Sequence, residues 1–191
     1  MKEKMSTGAL AISTLMLAAC GGGSDGGGDG SRSFCDSIAG GTSQVTTSVP
    51  ATCIGCSISN ASRAADGDLS TFASASDPPG QTISSRATAQ SGLVFPAGSH
   101  AGVFFLGPAN ADSAMTVHTY LNGTQQEVSD CSNFNDLSHC GLQGTNGGAA
   151  YSFLYLPTTK QFDAVEIVIT GANARSGTIE LHEICSNGNN D

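Results

Sequence analysis

The chain has 191 residues, which suits a single domain, since one domain typically takes about 100–200 residues. Acidic residues outnumber basic ones by 16 to 7, and the formal net charge of −9 argues against nucleic acid as a partner, because binding phosphates needs clustered Lys and Arg. The same charge disfavours adhesion to anionic lipid and suits a cation or a neutral ligand, although acidity also serves solubility alone.

The N-terminus has the pattern of a bacterial lipoprotein signal. Lys2 and Lys4 precede an apolar run over residues 9–19, which ends in Leu17-Ala18-Ala19-Cys20, with small residues before a cysteine. The run is too short to cross a bilayer, which takes about 20 residues. The pattern predicts that residues 1–19 are a signal peptide and that Cys20 carries acyl chains such as palmitate. An ordinary signal peptide with an unmodified cysteine is the alternative.

A tether and one domain are expected to follow. Residues 20–34 hold the lipidated cysteine and a Gly-rich segment, and residues 35–191 form the predicted domain. Gly21 rather than Asp follows the cysteine, which resembles the default outer-membrane address of Gram-negative lipoproteins. We therefore expect a cell-envelope protein anchored to the outer membrane by lipid, with its domain on the periplasmic or the surface face.

The domain reads as an all-β fold. Apolar residues occur in short runs between turn residues, and no segment has the period of an amphipathic helix. In chain order, the runs predict strands at residues 91–98, 101–107, 115–121, 125–128, 151–156, 162–170 and 178–185. Asn122-Gly123 predicts a tight hairpin. Short strands without intervening helices predict an antiparallel β-sandwich or barrel.

Alternation along two strands predicts which side chains share a face. In the strand at 162–170, Val165, Ile167 and Ile169 are expected opposite Glu166. In the last strand, strict alternation places Ile179, Leu181, Glu183 and Cys185 on one face, with Glu180 and Ile184 on the other.

Six further cysteines indicate disulfides, because exported domains fold in oxidising compartments. The connectivity stays open, since six cysteines allow many pairings. We favour two local pairs, Cys131 with Cys140 and Cys53 with Cys56, and a long-range pair of Cys35 with Cys185 that ties the start of the domain to its end.

An acidic segment is the densest polar cluster of the sequence. Asp66-Gly67-Asp68 is followed by the hydroxyls of Ser70 and Thr71, and such oxygens suit calcium, which takes six to eight oxygen ligands. The alternative is an Asp-Gly turn whose carboxylates cap backbone N–H groups. A helical calcium hand fits poorly, because Thr71 stands where its loop needs glycine.

The same segment resembles a known family of domains. Residues 60–72, with Ala64-Ala65-Asp66-Gly67-Asp68 before Ser70-Thr71-Phe72, resemble the early loop of discoidin-like, galactose-binding-like β-sandwiches. His182-Glu183-Ile184-Cys185 is similar to their closing strand. The resemblance implies a jelly roll. It also implies a structural calcium ion held by the Asp66 and Glu183 carboxylates, the Thr71 hydroxyl and carbonyl, and the carbonyls of Arg63 and Asp68.

A longer series of motifs is similar to uncharacterised bacterial surface-protein modules. The series runs from Cys53-Ile54-Gly55-Cys56 through residues 66–71 and 119–123 to Thr159-Lys160-Gln161-Phe162-Asp163-Ala164-Val165-Glu166-Ile167. This resemblance covers about residues 53–185. It implies a fold and a surface role but no ligand.

The loop between Cys131 and Cys140 is the predicted ligand-binding tip. Sugar binders of the discoidin-like family usually present exposed aromatic residues, often Trp, and this sequence has no Trp. Stacking on a sugar would then use Phe72, Phe134, Tyr120, Tyr151 or Tyr155. The loop carries Asn133, Phe134, Asn135, Asp136 and His139. A surface loop without a ligand is the alternative.

No enzyme is indicated. Cys53 and Cys56 have thioredoxin-motif spacing, but the following Ser-Ile-Ser-Asn is a poor helix start, so a structural disulfide is favoured. The four histidines form no zinc-binding pair, and no Gly-x-Ser-x-Gly elbow occurs. Glu180 and Glu183 lie three residues apart on one strand and are expected to point to opposite faces, which makes a poor catalytic pair.

The sequence therefore predicts a non-catalytic, lipid-anchored envelope protein that binds glycan or an envelope protein, with calcium as a structural ion. The rival hypothesis is an assembly lipoprotein that binds a protein partner and no sugar. An exported thiol–disulfide enzyme is a minor third.

Overall fold

A computed structural model describes residues 36–38, 44–78, 80–89, 92–107, 113–130, 141–146, 149–171 and 178–187. Within these ranges the chain forms twelve β-strands and one short 3-10 helix. No helix in this part of the chain is long and apolar enough to cross a membrane.

The strands occupy most of the described residues. They are β1 (Asp36–Ser37), β2 (Gln44–Ser48), β3 (Ser57–Ser59), β4 (Ala73–Ser76), β5 (Thr82–Thr88), β6 (His100–Leu106), β7 (Ser113–Leu121), β8 (Thr124–Asp130), β9 (Gly141–Asn146), β10 (Ala149–Pro157), β11 (Ala164–Gly171) and β12 (Thr178–Asn187). The helix, η1 (Ala61–Ala65), lies between β3 and β4.

The strands form two antiparallel sheets. Sheet A has the order β3-β4-β12-β6-β10-β9, with β1 also paired to β12, and sheet B has the order β2-β5-β11-β7-β8. One continuous apolar cluster draws on both sheets, with Val103 and Leu181 from sheet A and Val117, Ile167 and Ile169 from sheet B. The predicted all-β antiparallel sandwich is thus confirmed, because each sheet buries one face against the other.

Two local predictions are confirmed in sheet B. Val165, Ile167 and Ile169 are fully buried, as alternation along β11 requires. Asn122 and Gly123 form a two-residue loop between β7 and β8, with φ values of 51° and 77°. Two successive positive φ values define the turn that fits the twist of a hairpin, and Asn-Gly adopts them at little cost.

The predicted strand at residues 91–98 is wrong. In its described part only Phe95 pairs, through a single bridge to Phe162, and the two rings stack with centroids 5.1 Å apart. Gly92 has a φ value of 88°, outside the strand region, and Gly98, with a φ value of 90°, lies in the Pro-Ala-Gly-Ser-His turn that separates the two predicted strands. The turn residues therefore outweigh the short apolar run between them.

Strict alternation along β12 is also wrong. The register with β6 shifts between Leu181 and Glu183, so His182 is an extra residue in the strand. Ile184, not Glu183, consequently joins Leu181 in the core cluster. The bulge leaves Glu183 and His182 on the outer side of sheet A, where both contact the acidic loop described below.

A second apolar cluster covers part of the outer face of sheet A. Phe104, Phe153 and Cys185 are buried there, and the rings of Phe104 and Phe153 lie 4.5 Å apart. Gly102 sits beside them on β6, opposite Tyr155. A Cβ at Gly102 would lie 2.4 Å from the Leu154 carbonyl oxygen, so the close approach of these strands requires glycine.

Cysteine pairing agrees with the sequence where it is described. Cys53 and Cys56 form a disulfide, with Cα atoms 5.6 Å apart, in the turn between β2 and β3. Cys185 is disulfide-bonded, while its predicted partner Cys35 lies outside the described residues. The predicted Cys131–Cys140 pair also lies outside them.

Candidate functional site

The acidic loop at residues 66–71 is held together by its own oxygens. One Asp66 carboxylate oxygen accepts from the Asp68 N–H at 2.9 Å, and the other accepts from the Thr71 hydroxyl at 2.7 Å. The Thr71 hydroxyl also lies 3.2 Å from the Asp68 carbonyl oxygen. Three of the predicted calcium ligands, Asp66, Asp68 and Thr71, therefore meet at one point.

A second carboxylate in the loop makes a separate local turn. Asp68 accepts hydrogen bonds from the Ser70 hydroxyl at 2.6 Å and from the Ser70 N–H at 2.9 Å. These side-chain and backbone hydrogen bonds lower the pKa of Asp68 from its ordinary value. Asp68 accordingly offers its carbonyl, rather than its carboxylate, to the point where Asp66 and Thr71 meet.

The last strand, β12, holds this loop through contacts between residues more than a hundred positions apart in sequence. The Glu183 carboxylate accepts from the Gly67 N–H at 3.0 Å, and the His182 Nδ1 lies 2.9 Å from the Leu69 carbonyl oxygen. Phe72 packs against His182 with ring centroids 5.3 Å apart. Glu183 is only 3% exposed, so its carboxylate is a buried anion beside an acidic loop.

The oxygens present fit calcium in chemistry. Two carboxylates, Asp66 and Glu183, a hydroxyl and a backbone carbonyl are hard ligands of the kind that this ion takes. Arg63 lies in η1, directly before the loop, and its N–H donates to the Asn60 carbonyl at 2.9 Å. Among the described residues no three His, Cys, Asp or Glu side chains are grouped to hold a metal, so any ion here depends on backbone and hydroxyl oxygens.

A different polar cluster, which the sequence analysis did not predict, lies on the outer face of sheet B. Strand register aligns one residue from each of the five strands in a row across this face. The row is Thr46, Arg86, Glu166, His118 and Val128. Opposite residues in antiparallel strands have side chains in contact range, so this row is a continuous surface feature.

Glu166 is the centre of the row. It accepts from the Ser84 hydroxyl at 2.6 Å, from Arg86 Nη2 at 2.9 Å and from the Tyr120 hydroxyl. The Arg86 guanidinium also lies over the Tyr120 ring, 3.6 Å from its centroid. We call Ser84, Arg86, Tyr120 and Glu166 the Arg86 cluster. A guanidinium stacked on an aromatic ring and paired with a carboxylate has little freedom to move.

The titration behaviour of the cluster follows from its burial. Desolvation raises the pKa of Glu166, but the hydrogen bonds from Ser84, Tyr120 and Arg86 outweigh it, so the pKa is lowered from its ordinary value. Desolvation, with the hydrogen bond to Glu166, raises the pKa of Tyr120. Desolvation lowers the pKa of His118, against the attraction of Glu166. At neutral pH the face therefore carries the Arg86 cation, the Glu166 anion and a neutral imidazole.

The surroundings of the cluster are polar and include exposed positions. Thr46 and Gln125 are exposed, and Val128 is 45% exposed. His118 Nε2 lies 2.9 Å from the Thr116 hydroxyl. An antiparallel sheet with one face in the core and the other in water has this composition.

Predicted aromatic contacts for a sugar are only partly accessible. Tyr120 is 8% exposed and its ring is covered by Arg86, while Tyr155 and Phe72 are half-buried. The side chain of Tyr151 is outside the described part of the structure, as are Cys20 and the whole predicted tip with Asn133, Phe134, Asn135, Asp136 and His139.

Comparison with known proteins gives a distant structural likeness. No protein-family model matches the chain, and no curated protein matches it. Among solved structures, CBM32-3 from a family 31 glycoside hydrolase from Clostridium perfringens is similar over 81% of this chain and 95% of that chain, with 11% identity and a TM-score of 0.45. A likeness this weak carries no argument about the site, and the description of the fold rests on the two sheets themselves.

Proposed function

We propose that the protein is a non-catalytic binding protein of the cell envelope that recognises glycan. The observation that carries this proposal is the Arg86 cluster, a fixed guanidinium–carboxylate pair on the outer face of sheet B. Glycan hydroxyls need fixed donors and acceptors side by side, and this pair supplies both. The net charge of −9 also suits an uncharged ligand better than an anionic one.

The anchor and the location are part of the same proposal. The signal-like N-terminus with Cys20 supports lipid attachment, and Gly21 supports delivery to the outer membrane. Mass spectrometry of the membrane fraction tests both: we expect an N-terminal peptide that begins at an acylated Cys20. An unmodified Met1 terminus on a cytosolic protein would contradict the anchor and leave the binding proposal to stand separately.

Calcium has a structural role in this proposal. Asp66, Thr71, the Asp68 carbonyl and Glu183 would hold the ion and so fasten the acidic loop to β12. The acidic loop is held by β12 of sheet A, whereas the Arg86 cluster lies on the outer face of sheet B. Calcium would then support the fold without touching the ligand.

A glycan array is the direct test. The full acylated chain, solubilised in detergent, is applied to neutral and acidic glycans with and without calcium. We expect binding to a set of neutral glycans, and chelation should reduce it only through loss of folded protein. A properly folded chain that binds no glycan would refute the function.

Assembly with a protein partner is the second candidate function, and Ile54 favours it. This side chain is 94% exposed at the tip of the Cys53–Cys56 turn, and the disulfide restricts its motion. The turn lies at the end of the sandwich where β12 begins. β1, which follows the predicted tether, pairs with Cys185 near the opposite end of β12. Co-purification of an envelope protein that is lost in Ile54→Ser, with no glycan bound, would favour assembly.

A further inference from the structure

We propose that the outer face of sheet B binds a neutral saccharide through two adjacent hydroxyl groups, with Arg86 donating to one oxygen and Glu166 accepting from the other. This inference rests on the proposed function and gives it a site and a ligand class. It places recognition on the sheet face rather than on the predicted Cys131–Cys140 loop.

The Arg86 guanidinium and the Glu166 carboxylate are both held in place before any ligand arrives. Arg86 Nη2 is 2.9 Å from Glu166, the guanidinium lies 3.6 Å from the centre of the Tyr120 ring, and Ser84 holds the second Glu166 oxygen at 2.6 Å. Groups already fixed in their bound geometry lose little entropy when a ligand binds. Arg86 is nevertheless 30% exposed and Glu166 12%, so the pair is reachable.

Arg86 and Glu166 also keep unused hydrogen-bonding capacity. A carboxylate has about four acceptor positions, and Glu166 uses three of them for Ser84, Arg86 and Tyr120. A guanidinium has about five N–H donors, and the hydrogen bonds of Arg86 to Glu166 and Tyr120 use two of them. The pair therefore keeps an acceptor and further donors. A hydroxyl both donates and accepts, so two adjacent hydroxyls complete both groups at once.

The charges of the Arg86–Glu166 pair are balanced. Arg86 and Glu166 cancel one another, and burial keeps His118 beside them neutral at pH 7. A charge-balanced pair in a protein of charge −9 offers no surplus attraction to a uronic or sialic acid. Neutral sugars match this balance.

The flanking residues complete a surface of suitable character. Thr46 and His118 lie on either side of the pair in the same row and add hydroxyl and imidazole groups. Val128, at the end of the row, is 45% exposed and offers an apolar contact for the C–H face of a sugar ring. Tyr120 cannot stack on that ring, because Arg86 covers it. The Tyr120 ring instead holds the Arg86 guanidinium in place, so sugar recognition at this face does not depend on Trp.

The test measures binding by the full chain in detergent. Neutral oligosaccharides are titrated by calorimetry, together with analogues in which one of two adjacent hydroxyls is replaced by hydrogen and with uronic acid oligosaccharides. Each of Arg86→Gln and Glu166→Gln should weaken binding about 10- to 100-fold, the usual effect of losing a hydrogen bond to a charged group. The deoxy analogues should lose binding to a similar degree.

Two further variants separate loss of binding from loss of fold. Glu180→Gln is the matched control, since it neutralises a carboxylate on β12 of sheet A, outside the Arg86 cluster, and should bind as the unmodified protein does. Thr46→Glu keeps every contact of the Arg86 cluster but places a carboxylate opposite Arg86, where it would occupy the remaining donors. It should fold normally, by thermal melting, and still bind at least about tenfold more weakly.

The outcomes are distinct. Binding that is lost in Arg86→Gln, Glu166→Gln and Thr46→Glu but kept in Glu180→Gln supports the site. Glycan binding that survives in a folded Thr46→Glu protein overturns the site and leaves the proposed function standing. Binding restricted to uronic acids overturns the ligand class. A folded chain that binds no glycan overturns the site and the function together.

Discussion

Replacing Gly102 by alanine should destabilise the sandwich strongly. The new Cβ would lie 2.4 Å from the Leu154 carbonyl oxygen, 3.0 Å from the Tyr155 Cβ and 3.1 Å from a Phe153 ring carbon. The nearest atom is backbone in the adjacent strand β10, so no side-chain rotation relieves the clash. Only separation of β6 from β10 makes room, and these strands lie in the middle of sheet A.

The magnitude follows from the nature of the clash. Overpacking usually costs about 1–3 kcal/mol, and a clash with backbone belongs at the upper end, near about 3 kcal/mol. For a chain of this size, about 1 kcal/mol lowers Tm by roughly 2–4 °C, so Gly102→Ala should lower it by roughly 6–12 °C.

Circular dichroism melting of Gly102→Ala tests this prediction, with an alanine substitution at a second glycine as the control. At Gly107, just beyond the end of β6, an added Cβ would lie 3.8 Å from Ile179 and 3.9 Å from Phe105, which is ordinary contact. Gly107→Ala should therefore change Tm by less than about 2 °C, as substitutions without a clash usually do. Equal losses in the two variants would refute the steric argument, because Gly107→Ala introduces no clash.

Three other predictions concern charged groups. A calcium chelator should lower the Tm of the unmodified protein but not that of Asp66→Ala, and an unchanged Tm for the unmodified protein would remove the ion. Burial raises the pKa of Asp77, so its contribution to stability is present at low pH and is lost as the pH rises from the unfolded value of 3.8 through the higher folded pKa. Asp77→Asn should therefore raise Tm at pH 7. The same change at Asp68, whose pKa is lowered, should not raise Tm. A fall in Tm for Asp77→Asn would contradict the burial argument. For Glu166, desolvation raises the pKa but three hydrogen bonds lower it further, so its stabilisation is present above the unfolded value of 4.5 and is lost as the pH falls through the lower folded pKa. Glu166→Gln should then be more destabilising at pH 7 than at pH 3 in urea titrations, and equal effects at both pH values would argue against the hydrogen-bonded carboxylate.

Sequence patterns predicted the strands in which apolar and polar residues alternate cleanly. β11 and β7 are such strands, since one face of each enters the core. β5 was missed because Ser and Thr occupy both of its faces, including the buried Ser84 and Ser85, and hydroxyl residues carry no hydrophobic period.

The two polar sites differ in how far the sequence could predict them. The acidic loop is local, so Asp66, Asp68 and Thr71 could be recognised from spacing alone. The Arg86 cluster combines residues 80 and 46 positions apart in sequence, and only strand register brings them together. One signal was present: the predicted alternation grouped Glu166 with the apolar Ala164 and Val168, and a carboxylate that such neighbours partly bury needs a partner.

The extra residue in β12 has a consequence for how the acidic loop is retained. A regular strand would present alternate side chains, so only one of two neighbours could face the loop; the bulge lets His182 and Glu183 hold it side by side. Deleting His182 would remove the bulge and leave a regular strand that still keeps Glu183 outside and Ile184 in the core, but the hold of the imidazole on the Leu69 carbonyl would be lost. A change of one residue in length would thus weaken the attachment of the acidic loop to β12 while the core side of the strand keeps its pattern.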